Sequence, residues 1–389
     1  MKKKGVIISL VGVLLVVCAA SVWAMTRNQE TKTATSTTSN SSSQTTMTSS
    51  SEEEDNITTM IDKMSLEEKV GQLFFARTPQ ENQVSDLEDY HLGGYVLFGE
   101  DTENATKESL QEKVQSFQEA SDIPLLIGSD EEGGTVTRIS NNPELVDQPF
   151  KGPQEIYAED GWQGIIQDTK QKAGILEDLG INAGLFPDAD VSTDEESFIY
   201  ERTIGMDAKG TSEYVKNVVE TLNEAQSGST LKHFPGYGDN RDSHVEIVED
   251  DRSLDELREN DFLPFEAGIK AGADSVLVSH NIVNSIDPKA PASISPEVHK
   301  ILREELNFDG VVMTDDMDMA GLADFIPQED AGLEALKAGN DMVMSSSYQS
   351  QIPAVIQAVK DGDYAEAELD ASVERVLAWK EDLGILFKK

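Results

Sequence analysis

The chain has 389 residues, of which 73 are acidic and 31 basic, and its formal net charge is −42. This charge argues against nucleic acid and anionic lipid surfaces as partners, because both are bound by clustered lysine and arginine. It is typical of a solvated, repulsive surface that keeps a protein soluble outside the cell.

The N-terminus has the composition of an export segment. Lysines at positions 2–4 precede twenty uncharged residues, GVIISLVGVLLVVCAASVWA, at positions 5–24. Val22 and Ala24 fit a small-x-small cleavage site, yet twenty apolar residues are also long enough to span a bilayer uncleaved. We therefore expect residues 1–26 to be a signal peptide or a signal anchor. The rest of the protein would then be extracytoplasmic, either secreted or anchored to the outer face of the cell membrane, with this segment as its only membrane contact.

A serine- and threonine-rich stretch follows at residues 27–54, with almost no apolar residue. This composition is too polar to bury a core and predicts a disordered, flexible linker before one globular domain at 55–389. Cys18 is the only cysteine of the chain, so this domain is stabilised without an intramolecular disulfide. Lipid attachment at Cys18 is an alternative anchor, but Val17 is a poor match to the small residue that normally precedes such a cysteine.

Short apolar runs alternate with helix-like segments along the globular domain. The eight runs are residues 71–76, 93–99, 124–129, 181–187, 229–234, 274–279, 310–315 and 341–346. Between them apolar residues recur at three- and four-residue intervals, as in SEYVKNVVETLNEA. Eight nearly continuous apolar strands, each followed by a helix, predict an α/β fold of the single (β/α)8 TIM-barrel type. No GxGxxG fingerprint follows the first run, which disfavours an open dinucleotide-binding sheet.

Polar side chains stand at the ends of five of the predicted strands. In a parallel barrel the catalytic groups lie at the C-terminal ends of the strands, so we expect these side chains to gather at one mouth. They are Asp130, Asp188, Asp190, Lys232, His233, His280, Asp315 and Asp316.

The stretch KHFPGYGDNRDSH at residues 232–244 is the most specific motif of the chain. Together with the opening KMSLEEKVGQLFF at 63–75, it resembles the β-N-acetylhexosaminidase branch of glycoside hydrolase family 3, and the resemblance extends over roughly residues 55–389. It implies a retaining exo-β-N-acetylglucosaminidase that acts through a glycosyl-enzyme intermediate. Its substrates would be cell-wall-derived or other glycans with a terminal N-acetylglucosamine, and it would need no cofactor.

The resemblance also implies roles for single residues. The first acid of GVVMTDDMDM, Asp315, corresponds to the nucleophile, a carboxylate that attacks the anomeric carbon. Asp242 and His244 correspond to an acid/base dyad, in which the carboxylate orients the imidazole and favours its charged form. The stretch GSDEEGGTVTR at 128–138 resembles the family's D-x-E-G-G loop, and ERTIG at 201–205 is a second motif. Contacts with the sugar are implied for three strand-end residues and for the arginine of each motif, although a plain salt bridge is the alternative for each arginine. These binding residues are Asp130, Arg138, Arg202, Lys232 and His233.

Two features of the motifs need separate comment. The family pattern has a histidine between its two glycines where this chain has Tyr237, which puts loop packing or subsite preference in doubt rather than activity. Asp316 and Asp318 beside Asp315 suggest a bound cation, but the run lacks the spacing and the glycine of a calcium loop. We therefore expect no metal.

Three other functions fit the sequence less well. A family 3 β-glucosidase or β-xylosidase typically takes its acid/base carboxylate from a second domain, whereas only about forty residues follow the last predicted strand. A metal-dependent amidohydrolase needs a His-x-His pair at the end of the first strand, and GQLFFART contains no histidine. A non-catalytic wall-binding protein would lack the nucleophile or the dyad. We expect a monomer, and the aglycone, the linkage and the choice of water or phosphate as acceptor stay open.

Overall fold

The computed structural model describes residues 56–242, 247–323 and 325–387. In these ranges the strands are β1 (Phe74–Arg77), β2 (Gly94–Leu97), β3 (Leu126–Ser129), β4 (Glu131–Gly133), β5 (Val136–Thr137), β6 (Ala183–Gly184), β7 (Thr230–Phe234), β8 (Glu249–Asp250), β9 (Ser275–Val278), β10 (Ile282–Val283), β11 (Val311–Thr314) and β12 (Val343–Ser345). Strands β1, β2, β3, β6, β7, β9, β11 and β12 overlap the eight apolar runs, which confirms their predicted positions. The apolar pattern does not predict the four others, because they are two or three residues long and pair loop segments.

The eight predicted strands run parallel in two sheets. One sheet has the order β12-β1-β2-β3-β6 and the other has the order β11-β9-β7. Isolated parallel bridges connect the edges of the sheets, one between Ala183 and Gly228 and one between Met313 and Met342. The architecture is therefore α/β with parallel sheets, and neighbouring strands follow one another in chain order.

Helices connect the strands. They are α1 (Leu66–Gln72), α2 (Gln83–Tyr90), α3 (Gly99–Thr102), α4 (Lys107–Glu119), α5 (Pro153–Asp178), α6 (Ala208–Glu224), α7 (Leu254–Glu259), α8 (Phe262–Lys270), α9 (Pro296–Lys300), α10 (Ala320–Ala323), α11 (Gln328–Ala338), α12 (Tyr348–Asp361) and α13 (Glu366–Asp382). Several begin at a capping side chain; Asp207, for example, accepts a hydrogen bond from the Gly210 backbone N–H at the start of α6. The buried apolar stripe of α6 packs against α5 and α8.

The core lies between the strands and the surrounding helices. Every residue of β2, β3, β7, β9, β11 and β12 is buried, because helices cover the parallel sheets and no strand face meets water. Polar side chains inside these strands, such as Lys232 in β7, therefore need partners within the protein.

The expected export segment and linker, residues 1–54, lie outside the described residues. Within the described ranges, no helix is both long enough and apolar enough to pass through a bilayer.

Candidate active site

A cavity of about 420 Å³ lies at the C-terminal ends of the parallel strands. It brings together six of the residues predicted from the sequence, namely Asp130, Arg138, Arg202, Lys232, His233 and Asp315. A wider groove of about 980 Å³ lies at the opposite ends of β3, β6 and β7, between α4, the end of α5 and the segment around Leu386. Its lining contains none of the predicted site residues, so we take the smaller cavity as the candidate active site.

Lys232 points its ammonium group at two carboxylates. Its Nζ lies 2.6 Å from an oxygen of Asp130 and 2.6 Å from an oxygen of Glu132, and the side chain is 3% exposed. Burial lowers the pKa of the amine, but the two neighbouring carboxylates raise it by more. The pKa therefore lies above its ordinary value. The lysine is therefore a fixed positive charge in the wall of the cavity.

Arg202 is held by the same glutamate. Its Nε and Nη2 donate hydrogen bonds of 3.1 and 2.8 Å to the two carboxylate oxygens of Glu132. The same Nη2 lies 3.1 Å from Nε2 of His233. The sequence reasoning did not assign Glu132, although it is the glutamate of the D-x-E-G-G motif that was used to assign Asp130.

His233 is oriented by Asp190, which is completely buried. One Asp190 oxygen accepts hydrogen bonds from the backbone N–H of His233 at 3.2 Å and from its Nδ1 at 2.8 Å. The other oxygen accepts the backbone N–H of Tyr237 at 2.6 Å. Burial and the positive charge of Arg202 lower the pKa of the imidazole, so His233 is neutral, with its proton on Nδ1. Its Nε2 therefore accepts from Arg202.

Asp188 completes a buried cluster with Asp190 and His233. One ligand atom from each of the three residues lies within 4.8 Å of the others, a spacing that a metal ion could use. Burial and the neighbouring Asp190 charge raise the pKa of Asp188 well above its ordinary value. Because both Asp190 oxygens already accept hydrogen bonds, and Arg202 lies 3.6 Å from Asp188, the cluster fits a hydrogen-bonded support for His233 better than a cation site.

Asp315 follows β11 directly and lies in the cavity wall. Its backbone N–H donates to the carbonyl of Val278 at 2.9 Å, and one carboxylate oxygen accepts the backbone N–H of Asp316 at 2.8 Å. Burial raises the pKa of Asp316 to about 6. Asp318 accepts the backbone N–H groups of Ser346 and Ser347, at 2.7 and 3.0 Å, and so anchors the turn after β12.

The lining of the cavity also contains side chains that were not predicted from the sequence, namely Arg77, Phe98, Met319 and Met344. Arg77 at the end of β1 lies 4.2 Å above the ring of Phe98, and Arg138 approaches the same ring at 5.7 Å. Arg138 also lies 3.5 Å from Asp130. Met319 and Met344 add apolar surface. No motif marks Arg77, Phe98, Met319 or Met344 in the sequence; the folded chain brings them to one cavity.

Two predicted features lie apart from the cavity lining. His280 is buried behind it, with Nδ1 2.7 Å from the hydroxyl of Ser293 and Nε2 3.0 Å from the carbonyl oxygen of Asp316. Tyr237, in place of the family's histidine, is fully buried and packs its ring edge-on against His233 at 5.0 Å. His280 therefore positions the segment after Asp315, and Tyr237 supports His233 from below.

The predicted dyad is only half described. Asp242 is partly exposed and does not belong to the described lining of the cavity. His244 lies outside the described residues. The pairing of these two residues is therefore carried forward as a proposal.

Comparison with known proteins agrees with this geometry. Residues 65–379 match the model of the glycosyl hydrolase family 3 N terminal domain. A beta-hexosaminidase of Idiomarina loihiensis is 34% identical over 291 residues, which cover 74% of this chain and 85% of that protein. Beta-hexosaminidase A of Pseudoalteromonas piscicida is 30% identical over 340 residues, covering 79% of this chain and 56% of that one.

The same similarity appears among solved structures. A glycoside hydrolase family 3 beta-N-acetylglucosaminidase from Paenibacillus sp. str. FPU-7 has a TM-score of 0.78 and 28% identity, covering 84% of this chain and 64% of that chain. This chain thus spans less than two thirds of the Pseudoalteromonas and Paenibacillus proteins. Because the family model matches most of its length, the chain belongs to glycosyl hydrolase family 3.

Proposed function

We propose that the protein is a retaining exo-β-N-acetylglucosaminidase that releases terminal N-acetylglucosamine from cell-wall-derived or other glycans. The main support is the position of Asp315 at the end of β11, in one cavity with the cations Lys232 and Arg202. The beta-hexosaminidase and beta-N-acetylglucosaminidase names of the relatives support the same substrate class.

In the first step, the Asp315 carboxylate attacks the anomeric carbon as the glycosidic C–O bond breaks. His244 donates a proton to the leaving oxygen, and Asp242 orients the imidazole. In the second step, His244 removes a proton from water, which attacks the glycosyl-enzyme and releases the sugar with net retention.

Five side chains bind the sugar in this proposal. A carboxylate accepts hydrogen bonds from sugar hydroxyls, whereas guanidinium and ammonium groups donate them. The carboxylate is that of Asp130 and the cations are Arg138, Arg202 and Lys232, all in the cavity wall. His233 meets the sugar with the Nε2 edge of its ring, where a sugar hydroxyl competes with Arg202 for the single lone pair, since Nδ1 is engaged by Asp190.

We further propose that the eight parallel strands close into a (β/α)8 barrel at 55–389. The bridges Ala183–Gly228 and Met313–Met342 support closure, because they connect both pairs of sheet edges. The apolar composition of 1–26 and the polar composition of 27–54 support an exported enzyme that is secreted or tethered at the outer face of the membrane. The net charge of −42 supports a monomer, because like-charged copies repel one another.

Turnover of a nitrophenyl N-acetyl-β-glucosaminide beside the matching β-glucoside tests the activity. We expect the N-acetylglucosaminide to be the better substrate, with the β-anomer of the sugar released first in a proton NMR time course. A mechanism-based fluorosugar should label a peptide that contains Asp315, and Asp315→Asn should not be labelled. Preference for the glucoside, or a label on another peptide, would contradict the proposal.

A further inference from the structure

Arg252 connects the two ends of the segment that contains the proposed dyad. This segment runs from Gly236, just after β7, to Asp250 in β8, and includes Asp242 and His244. Arg252 donates from Nη2 to the carbonyl oxygen of Gly236 at 2.7 Å and to Asp250 at 2.6 Å. Its Nε donates to the same carboxylate at 3.0 and 3.1 Å. One side chain thus bridges both ends of the segment.

The bridge is fixed to the rigid part of the domain. Nη1 of Arg252 donates to Asp261, which directly precedes α8, at 2.7 Å. The Asp250 and Asp261 side chains are fully buried, and their charges raise the pKa of the guanidinium although its own burial lowers it. Arg252 itself lies between β8 and Ser253, the N-cap residue of α7. Its backbone is therefore held on both sides.

Two glycines of the KHFPGYG motif leave room for this bridge. A Cβ at Gly236 would lie 2.6 Å from an oxygen of Asp261, and a Cβ at Gly238 would overlap Nη1 of Arg252. Both glycines have positive φ, 112° and 54°, which side chains rarely adopt. The glycines thus allow the close approach of the guanidinium to the start of the segment.

We propose that Arg252 is a positioning residue for the acid/base step, because it contacts both described ends, Gly236 and Asp250, of the segment whose sequence includes Asp242 and His244. This inference rests on the proposed function. A general acid must lie within hydrogen-bond reach of the atom it protonates, so its loop needs a defined path. The planar fork of arginine meets its three acceptor groups from three nitrogens in a fixed geometry, whereas the three donors of lysine all lie on one nitrogen. The nucleophile Asp315 stands at the end of another strand, and the sugar contacts Lys232 and His233, in β7 before the segment, are held by Glu132 and Asp190 rather than by Arg252.

The test compares Arg252→Lys with the control variant Arg258→Lys. Arg258 is an exposed arginine on α7 that pairs with Glu305. We measure kcat/KM for a nitrophenyl N-acetylglucosaminide, which needs little acid assistance, and for a disaccharide, which needs much. For Arg252→Lys we expect a loss of about 10- to 100-fold on the disaccharide, within the usual worth of general acid catalysis, and at most about threefold on the nitrophenyl glycoside. Arg258→Lys should match the wild type on both.

Equal losses of Arg252→Lys on the two substrates, or no loss on either, would overturn the inference while leaving the proposed function standing. A wild-type enzyme without activity on either substrate would overturn both. If thermal unfolding shows that Arg252→Lys does not fold, Asp261→Asn decides, since it weakens only one of the three anchors. It should lose more on the disaccharide than on the nitrophenyl glycoside, and equal losses would overturn the inference.

Discussion

Arg202 and Glu132 form a buried ion pair in which two guanidinium nitrogens face the two carboxylate oxygens, at 3.1 and 2.8 Å. Burial raises the pKa of Glu132, but Arg202 and Lys232 lower it far more, so the carboxylate stays ionised. The pair holds the guanidinium against His233, where the sugar is proposed to bind. Glu132 therefore supports two of the proposed binding residues directly, Arg202 and Lys232.

Glu132→Gln should destabilise the fold and impair binding together, because it leaves two buried cations with one anionic partner fewer. Removing one partner of a buried ion pair costs about 3–5 kcal/mol, which urea unfolding can measure. Glu305→Gln is the matched control, since Arg258 and Glu305 make the same two-point contact at the surface. We expect little change there, and equal destabilisation of both variants would show that burial of Glu132 is not the cause.

Asp190→Asn should weaken sugar binding by about 10- to 100-fold, because an amide cannot accept all the hydrogen bonds that Asp190 takes, and each buried donor left unpaired costs about 1–3 kcal/mol. Calorimetric titration with N-acetylglucosamine measures this loss. The control is Asp194→Asn. Asp194 is an exposed residue of the same loop, and its carboxylate accepts one hydrogen bond among the described residues, from the backbone N–H of Glu196. Unchanged affinity in Asp190→Asn would mean that His233 does not need the orientation that Asp190 imposes.

The dyad predicts different losses on good and poor leaving groups. His244→Ala and Asp242→Ala should slow a natural disaccharide more than a nitrophenyl glycoside, because general acid help is worth roughly 10²- to 10⁴-fold and an activated phenol needs little of it. Azide should restore turnover of the nitrophenyl glycoside by replacing water in the second step. If both variants lost the same factor on both substrates and azide rescued neither, the acid/base would lie elsewhere.

Lys380 is a completely buried lysine on α13 whose Nζ donates to the side-chain oxygen of Gln72 at 2.7 Å. Burial lowers its pKa from 10.5 to about 7. Between about pH 7 and 10.5 the unfolded chain therefore binds more protons at this site than the folded chain does, and stability rises with pH. Below about pH 7 the full penalty remains, because the folded protein must then carry a buried charge.

Lys380→Met should accordingly be more stable than the wild type at pH 6, by about 2–4 kcal/mol. The lowering of the pKa from 10.5 to about 7 is worth about 5 kcal/mol, from which the unpaired Gln72 oxygen takes about 1–3 kcal/mol. The advantage should shrink as the pH rises towards 10. Urea unfolding at several pH values measures this difference in stability. The control is Lys360→Met, because Lys360 is an exposed lysine paired with Glu67. A difference independent of pH would contradict the buried charge.

Local pattern was enough to locate the strands and much of the site. Apolar runs bounded by polar residues predict buried parallel strands wherever helices cover both faces of a sheet, and β7 and β11 lie within the predicted runs. The acids and bases at strand ends follow from the same pattern, since parallel strands deliver their C-terminal residues to one side of the fold. Asp130, Lys232 and Asp315 could therefore be named from the sequence.

Pairings between distant segments were decided only by the tertiary structure. Glu132 contacts Arg202, which lies 70 positions later in the chain. Arg252 contacts Gly236, and the local sequence between them contains no sign of this contact. A carboxylate lies in the cavity wall at Asp315, whereas the same group three positions later, at Asp318, anchors a turn. Local sequence determines which side chains are available, whereas their hydrogen bonds and pKa values depend on burial and on neighbours that only the folded chain brings within reach.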